Sequence, residues 1–252
     1  MEISCTPYVQ RLLSISYDML GDLFQLKNEP DLEFECINQA LQLRQDIFQA
    51  AGSLEATHDL SISYKKMGDF IVSTDLESAK VCYSNTLHLT TKIAQTSPSL
   101  ESKRLLMISY GDMGQICVQE EQLSDATYYY QNALQLSKEI ADESGTVEAM
   151  RDYSVSLIQM GSLLKRQNIL DGAESCYRIA LHYRSQILGM SDSLQHLDDF
   201  AAALVNLAQV CENQRKDLLT DAVQVYEKLC QKAPDVVHYR SNLAYVKRML
   251  EE

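Results

Sequence analysis

The chain has no Trp, and its nine Gly and four Pro are few for 252 residues. Together they make roughly 5% of the chain where about 12% is average. Residues that punctuate short strands and tight turns are therefore scarce, which argues against an all-β sandwich or barrel. Basic residues are also in deficit, 22 Lys and Arg against 35 Asp and Glu, a formal charge of −13. That sign opposes the phosphate neutralisation on which nucleic-acid affinity depends, so no nucleic-acid partner is expected. No apolar run approaches the ~20 residues that span a bilayer. The opening MEISCTPYVQRLLSISYDML lacks the basic n-region of a secretory signal, so no membrane partner and a cytoplasmic location are expected. The seven Cys are odd in number and contain no Cys-x-x-Cys pair, which suggests neither a disulfide framework nor a zinc ribbon and fits a reducing compartment. What is plentiful is core-forming material, with 46% hydrophobic residues beside 23% charged ones.

A fixed internal period decides architecture, and one is visible here. The segments SISYDMLGDL, SISYKKMGDF, MISYGDMGQI and SVSLIQMGSL place Gly21, Gly68, Gly114 and Gly161 at steps of 47, 46 and 47, and the next step lands on Ala208. A second set recurs after each. Ala79, Ala126, Ala173 and Ala222 stand four residues before Tyr83, Tyr130, Tyr177 and Tyr226, while the first repeat has Glu33 and Ile37 there. Ala40, Thr86, Ala133, Ala180 and Leu229 follow three residues on, and Ile47, Ile93, Ile140 and Ile187 seven beyond the first four of these. Spacings of 3, 4 and 7 mark one face of an α-helix.

Each unit thus reads as two long antiparallel helices, A and B, of roughly 20 residues each. Ser53, Ser99, Thr146 and Ser193 mark the starts of helix A, where a side-chain oxygen can accept from first-turn N–H groups. Glu55, Glu101 and Glu148 follow where the helix dipole favours acid. The A-to-B turns fall in KNEPD (27–31), STD (73–75) and QEEQLSD (119–125).

These residues resemble the tetratricopeptide repeat (TPR) family: Tyr or Leu, then Leu or Met, then Gly in helix A, and Ala-x-x-x-Tyr-x-x-Ala in helix B. The resemblance covers five units and is closest to a long-repeat, about 47-residue, bacterial-type variant, where the usual period is 34. Tyr17, Tyr64, Tyr110, Leu157 and Leu204 stand where the family often has Trp, and the family's closing Pro occurs only as Pro234. The resemblance implies an all-α fold, an α-α superhelix of five antiparallel helix pairs plus a C-terminal capping helix. The whole of 1–252 is expected to be one such solenoid domain, with repeats at about 8–52, 53–98, 99–145, 146–192 and 193–234 and the capping helix at about 236–251.

The period also accounts for residues that could suggest chemistry. Cys36, Cys82 and Cys176 share one repeat position and Cys117 and Cys211 another, which reads as packing by a small hydrophobe. Cys5 and Cys230 have no His near them in sequence, so no reactive thiol is expected at either. The His residues at 58, 88, 182, 196 and 238 form no ligand-spaced cluster, so no metal is expected. In the Tyr128–Tyr130 run only Tyr130 lies on the repeat face. No Gly-rich phosphate loop and no nucleophile elbow is present, so the chain is expected to have no cofactor and not to be an enzyme.

A solenoid of this family presents helix A on its concave side. By register, the groove positions are Asp18, Asp22, Lys65, Lys66, Asp69, Gly111, Asp112, Gln115, Gln159, Ser162, Asn206 and Gln209. The chaperone-binding members grip a terminal carboxylate with Lys, Asn and Arg, but this chain has Asp18, Asp22, Lys66, Ile108 and Asp112 at the corresponding places. A carboxylate-clamp co-chaperone is therefore not expected. Residues 1–126 hold 9 basic and 18 acidic side chains and residues 127–252 hold 13 and 17, so the N-terminal half should attract basic segments. The reading is a non-catalytic scaffold that binds a protein or peptide, with a basic segment the favoured ligand, in the groove. The alternative is a structural or self-associating repeat arm, or a peptide-sensing regulatory domain, of a larger signalling protein.

Overall fold

The computed structural model describes residues 6–251, which form eleven α-helices and, among the described residues, no strand. The helices are α1 (Pro7–Leu26), α2 (Pro30–Ala51), α3 (Leu54–Ile71), α4 (Leu76–Thr96), α5 (Leu100–Gln119), α6 (Leu123–Ser144), α7 (Val147–Arg166), α8 (Leu170–Met190), α9 (Leu194–Ala208), α10 (Arg215–Lys232) and α11 (Val237–Glu251). A 3-10 turn at Glu212–Gln214 precedes α10. They group into two compact units, the first α1–α5 up to Glu120 and the second α6–α11 from Glu121.

The four expected caps all close their helices: Ser53, Ser99, Thr146 and Ser193 accept from Ala56, Ser102, Ala149 and His196. Thr6 does the same for Val9, extending the series one period toward the N-terminus. At Ser99 the cap is reciprocal, because the Ser102 hydroxyl accepts from the Ser99 N–H. Helices α2 and α6 end on Gly52 and Gly145 in the left-handed conformation, which Gly adopts without a Cβ clash. The A-to-B turns reach the same conformation without Gly, at Asn28, Glu121 and Asn168.

Within each unit helices pack on their sequence neighbours, α1 on α2, α2 on α3, α3 on α4 and α4 on α5 in the first, and α6 through α11 likewise in the second. The pairs are antiparallel: Gly21 lies against Cys36 and Ile37 while Arg44 reaches back to Ser14. The repeat positions form the core. Ala79, Ala126, Ala173 and Ala222 are fully covered, and Tyr83, Tyr130, Tyr177 and Tyr226 pack beside them. Ile47, Ile93, Ile140 and Ile187 are also buried. Gly68 and Gly161 let helix B approach closely, since a Cβ there would fall 2.8 Å from the Tyr83 ring and 2.7 Å from the Tyr177 ring. Each unit is thus an all-α solenoid of stacked helices. Helix α11 buries Tyr239, Val246 and Met249 in the last cluster and turns Arg240, Lys247 and Arg248 to solvent. The Cys residues behave as packing groups: Cys36, Cys117 and Cys211 are buried, and the rest of the described ones half-buried. Cys5 lies outside the described residues.

Candidate partner-binding surface

In the first unit the register positions of helix A come together across α1, α3 and α5. Lys66 Nζ lies 2.8 Å from Asp22 and 3.5 Å from Asp18. Lys65 Nζ lies 2.9 Å from Asp69, one turn along α3, and 3.2 Å from Asp112 of α5. The Tyr83 hydroxyl donates to Asp69 at 2.9 Å. A cleft of about 210 Å³ beside this row is lined by Gly21, Asp22, Gln25, Lys66, Asp69 and Phe70, among others.

The members differ in what they offer a ligand. Asp22 and Asp69 are exposed, whereas Asp18 is largely covered and takes a 2.5 Å contact from the buried Arg44 guanidinium. Asp112 is also mostly covered, and burial pushes its pKa above the usual carboxylate range despite the pull of Lys65. Lys65 shifts upward: burial works against its charge, but Asp112 and Asp69 outweigh it. Gly111 is buried, while Gln115 is exposed. Asp18 and Asp112 are therefore held by the fold, and Asp22, Asp69 and Gln115 are the accessible polar members.

In the second unit the row is amide and hydroxyl. Ser162 is exposed and shares a 3.0 Å hydrogen bond with the Tyr177 hydroxyl, and Lys165 donates to Gln209. Gln159 and Asn206 are half-buried on α7 and α9.

No family model matches this chain and no curated protein does. Solved structures do. BtubC of P. vanneervenii is 17% identical, with 87% of this chain and 92% of that one covered and a TM-score of 0.56. A thermophilic TPR protein of Thermus thermophilus is 17% identical, with 92% and 98% covered and a TM-score of 0.50. A STAND signal-transduction ATPase with a TPR sensor, from Pyrococcus horikoshii, is 12% identical with a TM-score of 0.60; 96% of this chain is covered, but it spans only 37% of that protein's length. The fold is the tetratricopeptide-repeat solenoid.

The TPR register also organises charge that spacing alone did not single out. Arg11 on α1 pairs with Asp59 on α3 and, 140 residues later, Arg151 on α7 pairs with Asp199 on α9, at 2.5 and 2.6 Å. Arg44 and Arg184 recur with the same step on helices α2 and α8; both are buried, and both donate to a Ser of their own pair, Ser14 and Ser154, at 3.2 Å. Thr90 and Ser137 stand at the intervening repeat positions and are buried too. The signal was available, since the period places Arg44, Thr90, Ser137 and Arg184 in one column, but a charged residue in a core column violates the apolar pattern and is passed over.

Among the described residues no group of His, Cys, Asp and Glu is placed to hold a metal, and no helix is long and apolar enough to cross a membrane.

Proposed function

We propose that the protein is a non-catalytic scaffold that binds a protein or peptide segment along the polar face of its A helices. The observation that carries this reading is the row from Asp22 to Asp112. Six side chains from three consecutive A helices, Asp18, Asp22, Lys65, Lys66, Asp69 and Asp112, are fixed by mutual ion pairs, with the exposed carboxylates of Asp22 and Asp69 flanking a cleft. Groups held in place before binding lose little side-chain entropy on binding, which favours recognition by hydrogen bonds. Asp22 and Asp69 suit the amide N–H groups and the Lys or Arg heads of an extended segment. Gln159, Ser162, Asn206 and Gln209 continue the series in sequence with neutral donors and acceptors, suited to peptide backbone.

The test is selection of displayed random peptides against the 252-residue protein, followed by affinity measurement on Asp22→Lys, Asp69→Lys and Gln159→Ala. Selected peptides should carry Lys or Arg, and the two charge reversals should weaken binding at least tenfold, about 1.4 kcal/mol. Failure to select any peptide, or affinities indifferent to all three substitutions, would refute the reading.

A further inference from the structure

Helix α1 carries an apolar face that is left open among the described residues. Of the twenty exposed large apolar side chains among the described residues, nine lie on this one helix, between Tyr8 and Leu26. At about 100° per residue they fall on a single face roughly 160° wide, with Ser16 near its middle and no charged side chain within it. The opposite side, with Ser14 and Gly21, packs on α2.

The repeat register says what such a face is built for. Val9, Leu13, Ser16 and Leu20 correspond, 47 residues on, to Ala56, Leu60, Ser63 and Met67 of α3, which are 1–7% exposed. They correspond again, 140 residues on, to Ala149, Tyr153, Ser156 and Met160 of α7, which are equally covered. In α3 this face meets a helix: Ser63 accepts from Arg44 of α2 at 2.8 Å, and Ser109 of α5 accepts from Thr90 of α4 in the same way. On α1 the same positions are open, with Val9, Leu13 and Leu20 each more than 40% exposed. The strip of Val9, Leu13, Ser16 and Leu20 is thus a helix-docking surface, continuous in register with the interfaces inside the fold, and among the described residues no helix covers it.

We infer that this face docks the α1 of a second copy, and that the protein forms a two-fold dimer through antiparallel α1 helices with the two Ser16 hydroxyls near the axis. Size supports this choice. The exposed fractions leave on the order of 900 Å² of accessible surface on the nine side chains, beyond the roughly 300–600 Å² of a typical monomer's largest apolar patch. It also matches the ~800 Å² per partner of a specific interface. Chemistry supports it as well. An uncharged apolar face offers nothing to select a charged partner, but it is complementary to itself, which is the requirement of an isologous contact. An isologous contact uses the same face on both copies. The contact therefore closes at two copies. Asp22 lies at the edge of this face, beside Ile15, Met19 and Leu26, and Asp69 lies on α3; the substitutions that test the dimer touch neither, so it is tested separately from the partner-binding reading.

The test is sedimentation velocity and light-scattering mass from micromolar to hundred-micromolar concentration. The expected result is a species of twice 28.5 kDa. Leu13→Glu combined with Leu20→Glu should give the single-chain mass with unchanged helical circular dichroism, while Tyr245→Glu on α11 should leave the dimer intact. Ser16→Cys guards against variants that fail to fold. Under mild oxidation it should give a covalent dimer whose disulfide peptide mapping places at position 16 of both copies. A wild type that stays single at every concentration overturns the inference. So does a dimer that survives the double Glu variant, or one that dissociates on Tyr245→Glu.

Discussion

Adding one methyl group at the same repeat position should have opposite effects in different repeats. At Gly161 an added Cβ would lie 2.7 and 2.9 Å from two ring carbons of Tyr177 and 3.2 Å from the Cys176 Cβ. At Gly68 it would lie 2.8 Å from Tyr83. Neither ring can swing freely, because the Tyr177 hydroxyl is bonded to Ser162 and the Tyr83 hydroxyl to Asp69. At Gly21 the nearest atom is the Cys36 Cβ at 3.5 Å, an ordinary contact, since the first repeat has Ile37 in place of the ring. All three Gly residues are inside helices, where Ala is preferred by about 1 kcal/mol. Overpacking of a filled core costs about 1–3 kcal/mol. Gly21→Ala should therefore be neutral or stabilising by up to ~1 kcal/mol, because only the propensity gain applies. Gly161→Ala should be destabilising by about 1–2 kcal/mol, the clash exceeding the gain. Urea unfolding followed by circular dichroism reads both, with an unchanged slope confirming that the midpoint shift is a stability change. In a Tyr177→Leu background the Gly161→Ala penalty should vanish, a coupling that a double-mutant cycle isolates. Gly161→Ala at wild-type stability or above, or Gly21→Ala as damaging as Gly161→Ala, would refute the close-packing account.

Arg44→Met should cost the first unit about 1–3 kcal/mol, because it removes the 2.5 Å contact of the largely covered Asp18 carboxylate and leaves it only Lys66 at 3.5 Å, and adding Asp18→Asn should recover part of the loss in urea unfolding. Burial alone would raise the pKa of Asp59, but the neighbouring His58 ring at 3.7 Å, the hydrogen bonds from Arg11 and the charges of Arg11 and Arg44 hold it at about 2. Its contribution, at most about 2.5 kcal/mol, is present above the ordinary value of 3.8 and is lost as pH falls toward 2; Asp59→Asn should flatten the acid limb of the stability profile. His58 is shifted the other way, upward from 6.5, chiefly by the Asp59 carboxylate 3.7 Å from its Nδ1. Its contribution is complete below 6.5 and fades as pH rises through the raised value, so His58→Gln should remove a decline in melting temperature that sets in above pH 6.5. Asp112 is raised by burial, which means that its charge opposes folding at neutral pH, and Lys65 keeps Asp69 as a partner without it. Asp112→Asn should leave stability at pH 7 unchanged or raised by up to ~1 kcal/mol, and a loss larger than that would overturn this reading.

The packing stripe of the fold was legible from spacing. The period placed Ala, Tyr and Ile of helix B and the Ser and Thr caps of helix A on the positions they occupy, because those residues face the same neighbour in every repeat. The candidate surface was legible only in part. Register located Asp18 and Asp112 on helix A, but their burial depends on Arg44 and Lys65 reaching across from other helices, which no single-helix pattern contains. The left-handed turns at Asn28, Glu121 and Asn168 were hidden for a related reason. Asn in this role is common, but Glu at a positive φ is set by the helices on either side and not by its own preference. The open face of α1 could not be read from the sequence at all, because its apolar positions match the register of repeats in which they are covered.

The acid excess of the N-terminal half also changes meaning once the pairs are placed. Around the candidate surface four carboxylates, Asp18, Asp22, Asp69 and Asp112, face three cations, Lys65, Lys66 and Arg44, which leaves a local balance of −1. A field that small steers a basic partner only weakly. Each exposed carboxylate nevertheless retains acceptor capacity, since Asp22 takes one short contact from Lys66 and an ionised carboxylate offers about four lone-pair sites. The same Lys residues that neutralise the row also hold its oxygens at fixed spacing along α1, α3 and α5. In the proposed scaffold, selectivity would therefore rest on the geometry of acceptors repeated from one A helix to the next, with bulk charge secondary to it.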